Sequence, residues 1–459
     1  MNYRLEKDSM GEIKVPEDQL WGAQTQRSFE NFKIGSEKMP LEVVHQLAKI
    51  KKAAAMANKD LGLISMEKKE LMIKALDEII EGKRNGEFPL SVWQTGSGTQ
   101  TNMNVNEVTA HIAKEISENP RIHPNDDVNK SQSSNDVFPS AIHMTAVELT
   151  KKVLLPALEN MIHSLEKKER EFSSIVKVGR THLQDATPIT LGQEFSGYRY
   201  TLERNYEIIE RALEFMYDLP LGGTAVGTGL NTKEGYDQLV IEYLRKITDL
   251  PYKLSKNKFH HLQTKTEFTH LSGTLSLLAG DLYKIANDIR LLASGPRCGI
   301  GELILPSNEP GSSIMPGKVN PTQSEALTMV CTQVFGNHRT ISDGATRGQF
   351  ELNVFMPVMI FNFIQMIDLL ATGMDSFRKN CIDGIKANEG KIAEYLKDSL
   401  MNVTALNPII GYENSAKIAA YAYEHQLDLK TAAITLNILT EEEFDKAMDF
   451  SSMVQANIK

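Results

Sequence analysis

Cysteine is scarce in this sequence. The 459 residues contain three cysteines, Cys298, Cys331 and Cys381, which are far apart and odd in number. Such spacing gives neither a disulfide framework nor the paired ligands of a zinc site. We therefore expect reduced thiols that are buried or half-buried.

Long apolar runs and an apolar N-terminal segment are also missing. No stretch of about 18 apolar residues occurs, so no segment is expected to span a membrane. The N-terminal residues MNYRLEKDSMGEIKVPEDQLWG mix acidic and basic side chains without an apolar centre. This is not the pattern of a signal or transit peptide, and we expect a cytoplasmic protein.

The chain has no excess of positive charge. Its formal net charge of −9 at pH 7 argues against nucleic-acid binding. Apolar residues make up 41% and charged residues 24%, which is typical of folded globular proteins. The length predicts two or three domains. An anionic ligand would need a locally positive pocket within this acidic chain.

What the sequence does contain is a series of long amphipathic helices between about residues 141 and 374. The clearest one has apolar residues at alternating spacings of 4 and 3, the period of about 3.5 that is typical of helices packed side by side. Gly295-Pro296 is predicted to end it. Its apolar positions are Leu271, Leu275, Leu278, Leu282, Ile285, Ile289 and Leu292.

Three more helices are predicted in this region. One begins after Pro321 and runs through Leu327 and Val330. Another, around residues 359–370, is apolar on nearly all sides, so we expect it at the centre of a bundle or between subunits. The third is expected to kink at Pro156, and its apolar face consists of Leu154, Leu158, Met161, Ile162 and Leu165.

The remaining segments complete a predicted division into three domains. Residues 1–139 alternate short helical runs with loops rich in Gly, Asn and Pro, residues 140–391 form the long-helix bundle, and residues 392–459 form a small helical domain. Strand patterns are limited to short runs near the N-terminus and to VKVGRTH near residue 178. The predicted fold class is therefore all-α for the most part.

Two polar loops in the first half of the chain are candidate sites. QTGSGTQTNMNVNE, with Ser97, Thr99 and Asn102, lacks the Lys and the third Gly of nucleotide-binding loops. In RIHPNDDVNKSQSSND, one His beside two acids could hold a metal but is more often a solvated turn, and we expect no metal. Its polar residues are His123, Asn125, Asp126, Asp127, Ser133, Ser134 and Asn135.

Two further loops contain the strongest chemical groups. GRTHLQDATP, with Thr181 and His182, is predicted as a polar loop between helices, and its His can be structural or catalytic. GSSIMPGKVNPTQSEA, residues 311–326, offers Lys318, Asn320, exposed backbone N–H groups and the N-terminus of the next helix, which favours anions. This set of donors suits the binding of a small carboxylate while a proton moves.

The loop at residues 311–326 closely resembles the signature loop of the fumarase/aspartase superfamily, and the other three loops match in order. The resemblance to class II fumarases runs nearly end to end, through EKDSMGEIKVP, WGAQTQRS, LGGTAVGTGLN, SGPRCGIGE and FELNVF. Aspartate ammonia-lyases are similar, but they typically have Ala at the position of Gly317 and differ at PTQSEA. The alternatives are an aspartate ammonia-lyase or related fumarate-forming lyase, and a catalytically silent helical scaffold.

This resemblance implies a fold, a reaction and an assembly. It implies a mostly helical subunit of three domains in a homotetramer with a core of twenty helices. The implied reaction is the reversible hydration of fumarate to (S)-malate, by anti addition of water through a carbanion with aci-carboxylate character. No metal, organic cofactor, nucleic acid or membrane is implied as a partner. Because the loops end different long helices, we expect active sites that are shared between chains.

The resemblance also implies residue roles. Ser312 matches the base that removes the C3 proton, and His182, paired with Glu325, matches the groups that handle the water at C2. Lys318 matches a stabilising cation, and the retention of all these groups argues against a silent scaffold. The matched substrate-binding positions are Ser97, Gly98, Thr99, Ser133, Ser134, Asn135, Thr181, Ser313, Lys318, Val319 and Asn320.

A secondary anion site is also implied, and here the chain departs from the family. His123, Pro124, Asn125 and Asp126 match that site. The preceding segment, SENPRIHPND, is shorter than the glycine-rich insert of many relatives. Arg121 therefore aligns only loosely with the basic residue of the secondary site.

Overall fold

The computed structural model describes residues 2–455, which are mostly helical. In chain order the helices are α1 Ala23–Asn31, α2 Leu41–Asp60, α3 Met66–Ile80, α4 Thr99–Ile116, α5 Ser134–Leu149, α6 Leu155–Glu171, α7 Leu191–Met216, α8 Tyr236–Thr248, α9 Lys258–Gln263, α10 Thr266–Leu292, α11 Thr322–Ala345, α12 Met356–Asn380, α13 Glu389–Asp398, α14 Asn407–Ile410, α15 Tyr412–His425, α16 Leu429–Thr435, α17 Glu441–Ala447 and α18 Phe450–Met453.

Strands occur in the described residues only as four two-stranded pairs. The pairs β1–β2, β3–β4 and β7–β8 are antiparallel, and β5–β6 is parallel. The predictions of strands near the N-terminus and near residue 178 are confirmed. The strands are β1 Tyr3–Asp8, β2 Gly11–Pro16, β3 Val176–Thr181, β4 Gln184–Thr190, β5 Asp218–Leu219, β6 Lys253–Leu254, β7 Leu303–Ile304 and β8 Lys386–Ala387.

The chain divides into two compact units. The first unit comprises Met1–Pro156, Glu207–Ala279 and Thr332–Ala371, and the second comprises Ala157–Tyr206, Gly280–Cys331 and Thr372–Lys459. The unit boundaries fall inside five helices, α6, α7, α10, α11 and α12. The predicted domains, with boundaries near residues 139 and 391, are each continuous in sequence, whereas each compact unit consists of three separate segments. The three-domain division stays a prediction.

The predicted apolar seam lies along α10. All seven of its side chains, from Leu271 to Leu292, are buried. The helix has 27 residues, so it is about 40 Å long at 1.5 Å per residue. It ends at Leu292, before Gly295-Pro296, as the sequence predicts.

The helix is irregular directly before Pro156, and the predicted kink itself stays a prediction. Residues Thr150–Leu154 form a wide π-helical turn between α5 and α6, and Pro156 is the second residue of α6. Leu149, Thr150 and Leu155 all have α-helical angles, so the helix continues through this turn, and the turn accommodates the missing N–H of Pro156. The apolar face predicted for this helix is buried at Leu154, Leu158, Met161 and Leu165 and half-buried at Ile162.

Helices α11 and α12 begin close to where they are predicted. Thr322 opens α11 directly after Pro321. In α12 the side chains of Met359, Phe363 and Met366 are buried, but only 50% of its most apolar window is buried within this chain. Within residues 2–455, the segment 356–384 alone is long and apolar enough to cross a membrane, with a mean hydropathy of 1.4, and core helices pass the same test.

The prediction of short helical runs before residue 139 is wrong. Helices α2 and α4 have 20 and 18 residues. In α4 the asparagines that resemble a loop are buried and hydrogen bonded: Asn104 donates to Glu87 O at 3.0 Å, and Asn106 donates to Asn129 Oδ1 at 3.2 Å. Since these partners lie far away in sequence, a local pattern does not reveal them.

The C-terminal helices of the second unit enclose a small core of their own. Ile418 on α15 lies at its centre with no exposed surface. The partners of Ile418 come from the turn before α14 and from α15 to α17. The buried members are Val403, Leu406, Ile418, Ala422, Leu429, Ala432, Ala433, Leu439 and Phe444.

Ile418→Ala is expected to destabilise this C-terminal core by about 2–5 kcal/mol, because the cavity cannot close completely. Ile409→Ala is the matched control, since Ile409 is 60% exposed, and surface changes usually stay within about 0.5 kcal/mol. Limited proteolysis within residues 403–444 and the thermal unfolding midpoint measure both effects. Equal cleavage rates for the two variants would contradict this assignment of the core.

Candidate functional site

In the first unit, hydroxyl groups join the N-terminal ends of two helices. Ser97 Oγ lies 2.9 Å from Thr99 Oγ1, which in turn lies 2.8 Å from Ser134 Oγ. Thr99 is the first residue of α4 and Ser134 the first residue of α5. Helix N-termini have unpaired N–H groups and a partial positive charge, so they favour anions. The N-termini of α4 and α5 therefore meet at this chain of hydroxyl groups.

The close approach of α4 and α5 depends on Gly98. This N-cap residue has φ +73°, a conformation that favours glycine. A Cβ atom at Gly98 would lie 2.2 Å from the Phe138 ring. Both the backbone conformation and the space therefore require glycine. The sequence analysis singled out Gly98 only through the resemblance, whereas the structure supplies a steric reason.

A third segment, Gly222–Ala225, is held against α5. Asn135 Nδ2 donates to Ala225 O at 2.8 Å. The buried carboxylate of Asp136 accepts from Gly222 N and Thr224 N, both at 3.0 Å, and from Ser133 N at 2.9 Å. Burial raises the pKa of Asp136 to about 6, although the hydrogen bonds from these three backbone N–H groups oppose the shift. Asp136 thus fixes the start of α5 and the glycine-rich segment together.

A buried lysine lies behind the first two loops. Lys51 on α2 has no exposed surface, and its Nζ donates to Asn102 Oδ1 at 2.7 Å and to Asn129 Oδ1 and Gln132 Oε1 at 3.4 Å. Burial lowers the pKa of Lys51 to about 7, and the charge of Asp136 opposes this shift. Lys51 thereby ties the first turn of α4 to the segment that precedes α5.

Sequence reasoning missed Lys51 and Asp136. The signal for Lys51 is its place on the buried face of α2, four residues after Leu47 and three before Ala54, both of which are buried. A lysine in such a row needs partners inside the protein. The signal for Asp136 is the N3 position of a capping box with Ser133, which the structure confirms.

The predicted secondary anion site forms a turn on the first unit. His123 Nδ1 accepts from Asn125 N at 3.3 Å and from Asp126 N at 3.1 Å, and Pro124 opens the wide turn that follows. The exposed Asp126 carboxylate lies 3.2 Å from the same nitrogen. Asp127 is buried instead and pairs with Lys68 at 2.7 Å. Asp127 also accepts from His123 N at 2.9 Å, so the two acids contact different parts of His123 and do not converge on its ring.

In the second unit, His182 lies at the tip of a β-hairpin, so the prediction of a loop between helices is wrong. His182 and Leu183 form the two-residue turn between β3 and β4, with φ +57° and +60°. Such turns usually contain Asn or Gly, because both central residues have positive φ. Without those residues the pattern gives no hairpin signal. His182 and the adjacent Thr181 are exposed.

Buried charges anchor the base of this hairpin. Lys177 is buried and lies 3.1 Å from Glu194 and 3.2 Å from Glu302. Arg180 pairs with the buried Glu302 at 2.7 Å. One carboxylate thus holds two cations from the same strand. This network supports the turn, which would otherwise relax from its positive φ angles.

Ser312 begins a tight turn in the loop at residues 311–326. Its Oγ accepts from Met315 N at 3.0 Å and from Ile314 N at 3.3 Å. Two N–H groups directed at a serine oxygen would stabilise an alkoxide on it. Ser313 is exposed beside it, and Glu325 is exposed in the first turn of α11. Within residues 2–455 no hydrogen bond joins His182 to Glu325, so their pairing stays a prediction.

The same loop folds back on itself and borders a pocket. A Cβ atom at Gly311 would lie 1.7 Å from Lys318 O, and Asn320 Nδ2 donates to Gly311 O. Lys318 and Asn320 line a cavity of about 670 Å³ in the second unit, together with Val319. Arg290 of α10 also lines it, and the sequence analysis did not single it out. With Lys318 and Arg290, this pocket is locally positive despite the acidic chain.

Comparisons with known proteins test the resemblance found in the sequence. The family described as Lyase matches residues 11–336, and the family described as Fumarase C C-terminus matches residues 403–455. The class II fumarate hydratase of Bacillus subtilis (strain 168) is 55% identical over 459 residues, 99% of each chain. That of Helicobacter pylori is 55% identical over 452 residues, 97% of each chain.

The chain belongs to the class II fumarate hydratase family.

Solved structures agree with that membership. Recombinant class II fumarase from Schistosoma mansoni is 43% identical with a TM-score of 0.96, covering 98% of this chain and 99% of the other. Fumarate lyase:delta crystallin from Brucella melitensis bound to cobalt is 40% identical with a TM-score of 0.95, covering 99% and 100%. The predicted family and mostly helical fold are therefore confirmed.

The residues matched to class II fumarate hydratases fall into two groups, one in each compact unit. The first unit contains the hydroxyl and amide group of Ser97, Gly98, Thr99, Ser133, Ser134 and Asn135, as well as the turn at His123. The second unit contains Thr181, His182, Ser312, Ser313, Lys318, Val319, Asn320 and Glu325. The matched His182, Ser312, Lys318 and Glu325 thus all lie in the second unit.

Lys51→Met is expected to lower the thermal unfolding midpoint, because the amide oxygens of Asn102 and Gln132 would lose this donor, whereas Asn129 would keep Asn106 as a donor. Each buried acceptor left without a partner costs about 1–3 kcal/mol. Lys52→Met is the matched control on the same helix: Lys52 forms a partly exposed pair with Asp77 at 2.6 Å, and such pairs contribute about 0–1 kcal/mol. Equal thermal unfolding midpoints for the two variants would show that the contacts of Lys51 do not stabilise the first unit.

Proposed function

We propose that this chain catalyses the reversible hydration of fumarate to (S)-malate by anti addition and elimination of water. The observation that carries the proposal is the 55% identity to class II fumarate hydratases over 99% of the chain. The intact donor set of the four loops supports it. Ammonia release from aspartate is the alternative activity, because aspartate ammonia-lyases form fumarate from a similar four-carbon diacid.

The chemical problem is the acidity of a hydrogen beside a carboxylate. Its removal gives an aci-carboxylate with a second negative charge on that group, so the enzyme must stabilise this form more than the substrate. We assign this task to Lys318, Asn320 and the backbone N–H groups of the 311–326 loop. Donors held in place before the reaction are usually the largest single contribution to such stabilisation.

We assign removal of the C3 proton to Ser312. A serine is a weak base unless its alkoxide is stabilised. The N–H groups of Ile314 and Met315, at 3.3 and 3.0 Å from Ser312 Oγ, support this role, and the charge of Lys318 would add to it. His182, assisted by Glu325, is assigned the proton of the water at C2, a contribution of about 10²–10⁴ in rate.

The hydroxyl and amide groups of the first unit are assigned to the substrate carboxylates. Ser97, Thr99, Ser134 and Asn135 lie at the N-termini of α4 and α5, where a carboxylate is favoured by two helix ends. Ser133, Thr181 and Ser313 would complete the contacts. The proposed proton transfers and charge stabilisation use only side chains and backbone groups of the protein.

We further propose a homotetramer with active sites shared between chains. Large apolar side chains remain exposed on the long helices, and exposed apolar surfaces of this kind mark contacts between chains. They include Leu277 and Leu291 on α10 and Met329 and Phe335 on α11. The half-buried apolar window of α12 supports the same assembly. The three-domain division near residues 139 and 391 is proposed with it.

A secondary anion site at His123–Asp126 and a cytoplasmic location complete the proposal. With His123 Nδ1 accepting two N–H groups, the other ring nitrogen can donate to an anion, although Asp126 would oppose it. The three cysteines are free, and Cys298 is exposed. Free thiols are typical of a reducing compartment such as the cytoplasm.

The purified protein is expected to form fumarate from (S)-malate faster than from aspartate, followed by ultraviolet absorbance. Lys318→Ala should lower kcat/KM by about 10²–10³, because one donor to the developing charge is lost. Lys417→Ala is the control, since Lys417 is exposed on α15. Faster turnover of aspartate would move the assignment to the ammonia-lyases, and a well-folded protein without any turnover would indicate a silent scaffold.

Reassembly of inactive subunits tests the shared sites. Ser312→Ala is mixed, after dissociation, with equal amounts of His182→Asn in one experiment and of Asn135→Ala in another. If the two groups come from different chains, about a quarter of the sites are intact after random mixing of a symmetric oligomer. Each variant reassembled with itself is the control. If neither mixture regains malate turnover, each site is built by a single chain.

A further inference from the structure

Two histidines and a glutamate form a compact group in the first unit, outside the four loops. His260 and His261 lie on α9, and Glu267 lies in the first turn of α10. One nitrogen or oxygen from each residue lies within 4.8 Å of the others. His260 Nε2 is 2.9 Å from Glu267 Oε1, and His261 Nε2 is 3.9 Å from Glu267 Oε2.

Both imidazole rings are oriented by hydrogen bonds on their other nitrogen. His261 Nδ1 is 2.7 Å from Ser255 Oγ, and His260 Nδ1 is 3.2 Å from Thr264 Oγ1. These contacts leave the Nε2 atom of each ring facing Glu267. Histidines that bind metals are almost always held in this way, because the second contact fixes the ring and its tautomer.

Two atoms that face each other in this group lack partners. His261 is 7% exposed, and within the described residues its Nε2 and the Glu267 Oε2 are buried without a hydrogen bond. Their separation of 3.9 Å exceeds that of a direct hydrogen bond. A buried polar atom without a partner costs about 1–3 kcal/mol. A cation bound by both atoms would remove that cost at two positions.

The charges around this group of three residues permit a cation to bind with modest affinity. Lys265 is buried nearby, but its three N–H groups are taken by the carbonyl oxygens of His261, Leu262 and Thr264, at 2.6 to 3.1 Å. They are therefore not available to Glu267, although the charge of Lys265 would weaken cation binding. The His143 ring lies 5.7 Å from that of His261 between ring centres and packs edge to face against it.

We propose that His260, His261 and Glu267 bind a divalent transition-metal ion, with Zn²⁺ or Co²⁺ as the best match. Two imidazole nitrogens and one carboxylate oxygen are a common ligand set for these ions. In a tetrahedral site with bonds of about 2.0–2.1 Å the ligand atoms lie about 3.3 Å apart. The candidate ligand atoms of the three residues lie within 4.8 Å of one another without an ion, so binding would draw them together. The partly exposed ring of His260 leaves a fourth position open to water.

The ion would join the end of α9 to the start of α10. Since α10 is the long helix with the buried seam, we assign the ion a structural role rather than a step in the reaction. The ion would stabilise the first unit whether or not the chain hydrates fumarate.

The test is metal binding by the full-length protein after treatment with a chelator. Wild type is expected to bind one Co²⁺ per chain with the visible absorption of a tetrahedral site, to bind Zn²⁺ in calorimetry, and to melt at a higher temperature with Zn²⁺. His261→Ala and Glu267→Gln should abolish these responses. Ser255→Ala should weaken binding by about 10–100-fold, because only the orienting contact is lost.

His425→Ala is the matched control, because His425 is exposed on α15 and outside the group; it should bind metal like wild type. Circular dichroism identifies any variant that fails to fold, and in that case His260→Gln, at the more exposed ring, replaces His261→Ala. The proposal is overturned if wild type binds no stoichiometric Zn²⁺ or Co²⁺. Binding that is unchanged in both His260→Gln and Glu267→Gln would overturn it as well.

Discussion

The arrangement of the first unit depends on two buried charges of opposite sign, Lys51 on α2 and Asp136 on α5. Taking either charge out of water costs several kcal/mol, which only well-placed partners can offset. Amide oxygens of Asn102, Asn129 and Gln132 surround the ammonium, and three backbone N–H groups surround the carboxylate. Because neither charge tolerates the loss of these partners, the segments that supply them have little freedom to move. The hydroxyl chain from Ser97 to Ser134 is held by this constraint.

Rigid donors matter because the proposed substrate is small. A four-carbon diacid offers few atoms for binding, so most stabilisation of an added negative charge must come from groups already in position. Hydroxyls and amides are individually weak donors, but two helix N-termini reinforce them in the first unit. In the second unit, Lys318 adds a charged donor, which is stronger than the neutral N–H groups around Ser312. This difference agrees with a division between carboxylate binding and proton transfer.

The parts of the fold that could be predicted from the sequence are those set by local patterns. The α10 seam repeats every 3.5 residues or so, and Pro321 marks the start of α11, so neither requires knowledge of distant contacts. The wrong predictions involve distant partners or unusual turns. The asparagines of α4 are interior because Asn129 and Lys51 meet them, and the His182–Leu183 turn lacks the residues by which such turns are recognised. Individual roles, such as that of Ser312, came from the resemblance, since one serine in a flexible loop has no distinctive pattern.

The exposed apolar side chains beside the proposed catalytic groups bear on the assembly. Leu183, next to His182, is 74% exposed, and Ile314, two residues after Ser312, is 83% exposed. The turn at Leu183 also has positive φ at two ordinary residues, which is unfavourable unless the surroundings maintain it. Lys177, Arg180 and Glu302 maintain it only from the base of the hairpin. Each of these apolar side chains lies within two residues of a proposed catalytic group, so a covering surface would shield that group from water as well. We infer that another chain covers both tips, which would make assembly a condition for activity and not merely a source of stability.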